Sequence, residues 1–422
     1  RVLTDFESIH GRGALSSMDP TASPGPFWSH FASRTGLPSQ KSSFMRDADN
    51  NNILHPGIVQ AIALTERCYA ELELTDCAYS VQLKDETVSD AKIGDVKTRL
   101  FNPEDMHQSA VGRKYLGDFV AQLLVQRSED PLIGCAVGIS PGDPSCSRMY
   151  ASMRAGQSFA CDQKGFDNHQ FWELAQHIAD AINAWYPGKE PASVKRIRKM
   201  YIYACYTSVR ICGRTMFRMP YGMPSGCAVT TQLNSIYLEA ATLYAFYKSL
   251  TDNVANPALD VKLGWAPTPL DIKRHVQAWY YGDDSLVCCS PEWRITSPQL
   301  FKYYGELGLE ATHCVKDFPL DQEVPVEQQS FLKRNLFINC EGSLVNALPQ
   351  ETIWNMPCYT KKANYDILER YQDTARNMLI EARRWGTPFF NKVYKKLSKA
   401  FKAEGIPFPL TDSPASYVTG RL

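Results

Sequence analysis

Gln277-Ala-Trp-Tyr-Tyr-Gly-Asp-Asp-Ser-Leu-Val-Cys-Cys289 is the stretch on which the reading of the fold turns. Two short runs of strand-forming residues flank Gly282-Asp283-Asp284. Glycine tolerates positive φ and aspartate favours turns, so the pattern predicts a β-hairpin with a tight turn. The two carboxylates then stand side by side at the tip, outside the apolar strands. By itself such a turn is more simply an acidic surface loop, and its meaning depends on what else reaches it.

Phe159-Ala-Cys-Asp162-Gln-Lys-Gly-Phe-Asp167-Asn168 supplies that context. An apolar strand ends at Asp162 and a turn follows. Asp167 comes just before a helix expected over 168–185, with Phe171, Trp172, Leu174, Ile178 and Ile182 on one broad face. Two divalent ions about 3.5–4 Å apart need carboxylates from at least two chain segments. Asp162 and Asp283 can supply them if their strands are neighbours, and magnesium suits such all-oxygen ligands. Asp167 also reads as a helix N-cap, and the two duties are compatible. In Tyr221-Gly-Met-Pro-Ser225-Gly226-Cys-Ala-Val-Thr230-Thr-Gln-Leu-Asn234-Ser235, a Pro-Ser-Gly turn opens a helix expected to run to about 249. Thr230 and Asn234 share one face of it. Ser225 reads equally as its N-cap.

Around these stretches the chain looks like a soluble enzyme of mixed α and β structure. Its 422 residues imply two or three subdomains around a cleft. Hydrophobic residues make up 44% and charged residues 21%, which is ordinary for a globular protein. The formal net charge is zero, which argues against a protein that is basic all over but not against a locally positive groove. Lys195, Arg196, Arg198 and Lys199 form one basic cluster, and Lys392, Lys395, Lys396, Lys399 and Lys402 another. Each reads as a solvated helix face or as part of such a groove. The 13 cysteines include no CxxC pair, so neither a disulfide framework nor a zinc site is expected, and a reducing compartment is. No apolar run approaches the ~18 residues of a membrane span. The start at Arg1, without methionine, reads as a cleavage product or a trimmed chain.

Residues 16–43, rich in Ser, Pro and Gly, read as an ordered loop region or a mobile strap. Helices are expected over 54–74 and 193–211, and the turn-rich 137–147 reads as a subdomain border. A Pro-containing loop insertion is expected at 251–271. Two helices are expected over 364–403, broken near Gly386-Thr387-Pro388. The second turns Phe390, Val393, Tyr394, Leu397 and Phe401 inward. Strands concentrate between about 155 and 345.

The ordered set Asp162-x4-Asp167, Ser225-Gly226-x3-Thr230-x3-Asn234 and Gly282-Asp283-Asp284 resembles motifs A, B and C of the viral RNA-dependent RNA polymerases, more narrowly the picornavirus-like ones. Lys84-Asp-Glu86 with Lys92, Lys97 and Arg99 resembles motif F, and Thr21-Ala-Ser23-Pro-Gly25-Pro26 resembles motif G without its usual aromatic. Gly308-Leu309 to Lys316 resembles motif D, and Phe331-Leu-Lys333-Arg334 motif E. Gly134-Cys-Ala-Val-Gly138 and Asp143-Pro144 resemble the family's stretch between F and A. Seven motifs in one order, over roughly residues 20–340, make coincidence improbable.

The resemblance implies an α+β fold shaped as a right hand. Fingers would span 1–145 and 176–219, the palm 146–175 and 220–344, and the thumb 345–422, with an antiparallel palm sheet backed by helices. It implies template-directed transfer of nucleotides from NTPs to an RNA 3′-OH by a two-metal mechanism, replicating a positive-strand RNA virus genome from a polyprotein origin. Asp162 and Asp283 would hold two Mg²⁺ ions, with Asp284 assisting and Mn²⁺ able to substitute. Lys316 would be the general acid for pyrophosphate. Lys92, Lys97 and Arg99 would meet the triphosphate; Asp167, Ser225 and Asn234, supported by Thr230, would recognise the ribose 2′-OH. Thr21, Ser23, Gly25, Lys84, Gly226, Lys333 and Arg334 would contact template or primer. The implied partners are an RNA template and primer, NTPs, a viral peptide primer and other replication proteins. The implied place is the host cytoplasm, at viral replication complexes.

Two departures stand out. Most of the family's N-terminal fingers segment does not precede motif G here, and the spacing from motif B to motif C is long. Two competing readings make different demands. A reverse transcriptase also carries a Tyr-x-Asp-Asp turn, but it usually places a bulky aromatic where this chain has Asp167. A catalytically silent RNA-binding protein would not need every expected carboxylate.

Overall fold

The computed structural model describes residues 1–75, 77–84, 86, 94, 98–127, 130, 132–252, 267–358 and 366–408. Short helices α1 (Asp5–His10), α2 (Pro26–Thr35) and α3 (Ser42–Met45) precede the longer α4 (Pro56–Ala70). Strands β1 (Ala78–Ser80), β2 (Gln82–Leu83) and β3 (Leu100–Phe101) lead to α5 (Met106–Gln126) and α6 (Ser145–Ala155). Then come β4 (Gln157–Gln163), α7 (Trp172–Trp185), α8 (Ala192–Tyr206), β5 (Val209–Cys212), β6 (Thr215–Arg218) and the long α9 (Thr230–Thr251). After α10 (Pro269–His275) come β7 (Val276–Tyr281), β8 (Asp284–Cys289), α11 (Ser297–Glu306) and β9 (Ala311–His313). The chain continues through β10 (Ser330–Phe331), β11 (Arg334–Ile338), β12 (Leu344–Ala347), α12 (Gln350–Asn355), α13 (Ile367–Arg384) and α14 (Thr387–Ala403).

A four-stranded antiparallel sheet of order β7-β8-β4-β9 stands at the centre. Alternation along its inner strands serves two cores, because successive side chains point to opposite faces. Phe159, Cys161, Val287 and Cys289 join the main core with Leu238, Ala241 and Phe246 of α9. Ala160, Leu286 and Cys288 join a second core with Met149 and Met153 of α6. With both faces covered, β8 is buried from Ser285 to Cys289, and its last four residues form an apolar run rather than an alternating one. A third cluster ties α12, α13 and α14 together through Ile353, Met378, Leu379, Phe390 and Val393. Elsewhere, α5 and α8 cross at Gly112, where a Cβ would lie 2.2 Å from the Tyr201 ring, so only glycine permits that approach.

Several sequence expectations are corrected. Residues 16–43 are not all loop: Pro26 opens α2, and Gly36, at φ 73°, closes it in the left-handed conformation. The residues that suggested a loop are the ones that bound the helix. The helix expected over 193–211 stops at Tyr206, and β5 begins at Val209. The helix expected from 168 starts at Trp172, because Phe166–Asn168 forms a 3₁₀ turn. Ser225 does not cap α9, which begins at Thr230 with Val229 at the N-cap. Within the 251–271 insertion, residues 253–266 lie outside the described residues, and Thr268 opens α10 with a capping box to Asp271. Arg198 is no part of a solvated face: it is fully buried, forked onto Glu190 at 2.5 and 2.8 Å and stacked 3.5 Å from the Tyr186 ring. The break at Gly386 and the two helices around it are as expected.

Candidate active site

Strand register brings the acids together. In the β7–β8 hairpin Tyr281 pairs with Asp284, leaving Gly282 and Asp283 as a two-residue turn. Gly282 has φ 65° and Asp283 does not have positive φ, the arrangement that favours glycine at the first turn position. Asp283 therefore stands at the tip, while Asp284 already belongs to β8. On the other side of β8, Cys161 of β4 pairs with Ser285, so Asp162 lies at the same end of the sheet. Asp162 opens to solvent, yet the protein crowded around it and the charge of Asp283 raise its carboxyl above the usual range. Burial, then Asp162 and Asp283, push Asp284 up to about 7. The charge of Lys333 opposes the shift at both Asp162 and Asp284, and that of Arg99 opposes it at Asp162.

Carboxyls raised by burial and by neighbouring negative charge, as Asp162 and Asp284 are, are short of positive charge, and a divalent cation would relieve them. The donors are hard oxygens. Among the described residues no group of three or more His, Cys, Asp or Glu is placed to hold a metal ion by itself. That arrangement fits magnesium, which takes one or two carboxylates and completes its shell with water and substrate phosphates.

The turn is held from behind by a residue that motif reading left unassigned. The Gly282 N–H donates to the Ser235 hydroxyl at 3.0 Å, and that hydroxyl donates to the Thr231 carbonyl at 2.7 Å. Ser235 is fully buried, one residue after Asn234 on α9. The other edge of the hairpin is also covered: Tyr280 exchanges backbone hydrogen bonds of 2.7 and 2.8 Å with Gly134 and Ala136. A Cβ on residue 134 would lie 2.7 Å from the Tyr280 ring.

Beside the acids, a polar relay runs inward from Asp167. Asn234 Nδ2 donates to Asp167 Oδ1 at 2.6 Å, Gln170 donates to Asn234 Oδ1 at 2.9 Å, and the Tyr206 hydroxyl donates to Gln170 at 2.7 Å. Burial raises Asp167; the Asn234 bond opposes this, Asp283 adds to it, and Arg210 and Lys84 oppose it. A cavity of about 580 Å³ opens here, lined by Gln82, Leu83, Lys84, Arg99, Leu100, Phe101, Asp167 and Ser225. Ser225 is exposed on it and makes no hydrogen bond to Asp167 or Asn234 among the described residues. Thr230 does not join the relay either; its hydroxyl ties the loop ahead of α9 through Pro224 O at 2.7 Å and Cys227 O at 3.1 Å. A cavity of about 640 Å³ lies apart, along β11 and Trp385, and its one acidic lining residue, Glu327, is paired with Arg154. Volume alone therefore does not mark the site.

The expected cations have varied surroundings. Arg99 forks onto Glu86, with Nε 2.6 Å from one oxygen and Nη2 on the other, and feels Asp283 and Asp162 as well. Lys84 stands 4.0 Å from Glu86. Lys92 and Lys97 lie outside the described residues. Lys333 sits in the two-residue β10–β11 turn, where Leu332 and Lys333 have φ of 54° and 59°, an unusual conformation for such side chains. Arg334 is turned away into the protein, forked onto Glu381 of α13 at 2.8 and 2.9 Å, so its charge is neutralised internally. Lys316 is 89% exposed after β9, 3.6 Å from Asp317. At the N-terminal strap, Thr21 bonds Asp19 at 2.7 Å and Ser23 accepts from the Gly25 N–H at 3.2 Å. Gly25, at φ 93°, packs where a Cβ would lie 2.4 Å from Asp105 Cα. Gly226 is equally confined, its Cβ position 2.2 Å from the Asn102 carbonyl oxygen.

A family profile described as "Viral RNA-dependent RNA polymerase" matches residues 16–400. The chain is 29% identical over 333 residues to the RNA1 polyprotein of Grapevine fanleaf virus, covering 77% of this chain and 13% of that one. It is 27% identical over 417 residues to the RNA1 polyprotein of Cowpea mosaic virus (strain SB), covering 93% and 21%. It is 26% identical over 420 residues to the replicase polyprotein of Acute bee paralysis virus (strain Rothamsted), covering 96% and 21%. The chain thus spans about an eighth to a fifth of the length of these relatives. Among solved structures it resembles the "Sicinivirus 3Dpol RNA dependent RNA polymerase" with a TM-score of 0.75 and 21% identity, over 99% of this chain and 79% of that one. At that identity the likeness is one of fold, and it agrees with the right-hand architecture expected from the motifs.

Proposed function

The chain belongs to the viral RNA-dependent RNA polymerase family, and on that premise we propose that it extends an RNA 3′ end with ribonucleotides in the order set by an RNA template, in the replication of a picorna-like positive-strand virus. The observation that carries this reading is the convergence of Asp162 and Asp283 at one end of the sheet, beside the Asp167–Asn234 pair. The pair of acids suits phosphoryl chemistry; the Asp167–Asn234 pair suits recognition of a sugar hydroxyl.

Asp162 and Asp283 would hold two Mg²⁺ ions, with Asp284 assisting. Bound there, they would supply Lewis acidity, that is, a lower pKa for the attacking 3′-OH and an offset to charge on the triphosphate and the leaving pyrophosphate. The remaining work is positioning and electrostatics. Arg99 presents a planar fork of donors that exchanges Glu86 for phosphate oxygens, with Lys84, Lys92 and Lys97 adding positive charge. Asp167, Asn234 and Ser225 bind the ribose 2′-OH. A site built to hydrogen-bond a hydroxyl rejects the analogue lacking it, because its own polar groups are then stranded. Lys333 lies close enough to the acids to steady a primer phosphate beside them. Lys316, in the exposed loop after β9, donates a proton to pyrophosphate when that loop swings toward the acids.

Primer extension on an RNA template with NTPs and Mg²⁺ tests the reading. Extension is expected with NTPs and is weak with dNTPs. Asp283→Ala is expected to reduce it by at least about 10³-fold, as loss of a metal-holding carboxylate should. Absence of extension by the unaltered, folded chain with either Mg²⁺ or Mn²⁺ would overturn it.

A further inference from the structure

Glu104 is a carboxylate that none of the motifs accounts for. It lies between β3 and α5, only 3% exposed, and no described cation forms an ion pair with it. Four donors from four parts of the chain converge on it instead. Its Oε1 accepts from the hydroxyls of Tyr79 at 2.9 Å and Tyr201 at 3.2 Å. Its Oε2 accepts from the Ser109 hydroxyl at 2.6 Å and from the Ala228 backbone N–H at 3.1 Å. Burying a carboxylate without a directly paired counter-charge is expensive, and an apolar residue would fill the space at lower cost. An apolar residue could accept from none of these donors, and the Ala228 N–H is the one among them that belongs to the loop bordering the cavity.

That bond is one end of a clamp. Pro103 forms a parallel bridge with Gly226, and the Asn102 carbonyl packs against the Gly226 Cα so closely that a Cβ there would lie 2.2 Å away. Segment 102–104 thus grips loop 226–228 at three successive points. The same segment continues directly from Arg99, Leu100 and Phe101, which line the cavity facing Ser225. One short stretch therefore builds one wall of the cavity and holds the loop that forms the other.

We propose that Glu104 is a positioning residue that sets the separation of Ser225 from Arg99 across this cavity, and with it the preference for ribonucleotides over 2′-deoxynucleotides. The inference rests on the polymerase reading. Glu104 touches no substrate; it acts through the Ala228 N–H. Oε1 faces Tyr79 and Tyr201, while Oε2 is shared between the Ser109 hydroxyl of α5 and the loop.

The test compares Glu104→Ala, Glu104→Gln and Tyr79→Phe in the full chain. Amide hydrogen exchange over residues 224–230 reports the clamp without any catalysis. Single-nucleotide incorporation reports KM and kcat for an NTP and for its dNTP. In Glu104→Ala we expect faster exchange in the loop, an NTP KM raised about tenfold and a ribo/deoxy preference reduced about tenfold, the scale of one lost buried hydrogen bond, with kcat little changed. Glu104→Gln keeps an acceptor for Ala228 and restores most of both readouts. Tyr79→Phe lowers the melting temperature and leaves loop exchange and preference at parental values. If Glu104→Ala does not fold, Glu104→Asp, which draws the carboxylate back by one methylene, takes its place with the same expectations. Parental exchange and preference in the folded variant, or an equal loss of preference in Tyr79→Phe, would overturn the proposal. Failure of the unaltered chain to extend any primer would instead overturn the polymerase reading, and loop exchange would still judge the clamp.

Discussion

The carboxylate end of the central sheet and the wall of the adjoining cavity face one another, yet they are built by different means. Asp283 and Asp284 are placed by a hairpin in which six residues of β7 pair with six of β8, and Asp162 by a further five pairs between β4 and β8. Error is shared over many backbone bonds. Ser225 is placed by a loop that Thr230 ties locally and that Glu104 holds across 124 residues of sequence, with one glycine pressed against a carbonyl. Error there is shared over fewer bonds, one of them to a buried carboxylate and one contact resting on a missing Cβ. The contrast suits the proposed tasks: the acids need fixed separation, while the cavity discriminates between substrates that differ by one oxygen atom.

The largest effect expected to separate the two constructions is on pH dependence. Burial pushes Glu104 up to about 7, and burial likewise pushes Asp105 up to about 7. A carboxyl whose folded-state pKa is raised keeps its proton longer in the folded chain than in the unfolded one. Its contribution is complete below the unfolded value near 4.5 and is lost as pH rises through about 7. For Glu104 alone the loss is roughly 3 kcal/mol. Urea midpoints should therefore fall between pH 4.5 and pH 8, and Glu104→Gln should flatten the slope. An unchanged slope would assign it to Asp105 and Asp284, and would remove Glu104 from the comparison.

Gly226→Ala comes next. The new methyl meets the Asn102 carbonyl, so the clamp must open, at about 1–3 kcal/mol. Incorporation assays should show a raised NTP KM and a weaker ribo/deoxy preference. Parental values would mean that the loop tolerates displacement and that the wall is not set there. Ser235→Ala probes the opposite side. It strands the buried Gly282 N–H, at about 1–2 kcal/mol, and should lower kcat about tenfold while leaving the ribo/deoxy ratio alone. A change in that ratio would show that turn and cavity are not separately constructed. The smallest effect is expected for Gly282→Ala. Nothing lies within 4 Å of a Cβ there, so the cost is only that of φ 65°, about 1 kcal/mol, read as a small fall in melting temperature. A large loss would show that the hairpin turn is less tolerant than its ladder implies.

Legibility in the sequence followed the same division. The hairpin, the strand ending in Asp162 and the helix pair around Gly386 were readable, because each depends on residues adjacent in the chain. The proximity of Asp167 to Asn234 came from motif order, and the 2.6 Å bond is what the structure adds. Ser235 directly follows Asn234, but nothing local says that its hydroxyl meets the Gly282 N–H, 47 residues away. Arg198 sat in a basic cluster and is fully buried against Glu190 and Tyr186, a pairing that no charge count reveals. Lys333 and Arg334 are neighbours with opposite fates: one charge is felt by the acids, and the other is spent on Glu381.

By itself the sequence determined the family, the order of the motifs and the acids at the turn, since alternating apolar residues, turn chemistry and motif spacing are all local quantities. The tertiary structure alone decided which polar groups are buried and what they meet there. That choice depends on contacts between segments separated by as many as 124 residues, and a carboxylate such as Glu104 is retained where four donors reach it. Asp283 is thus a residue the sequence could name, and the hydroxyl that steadies its turn is one that only the fold could show.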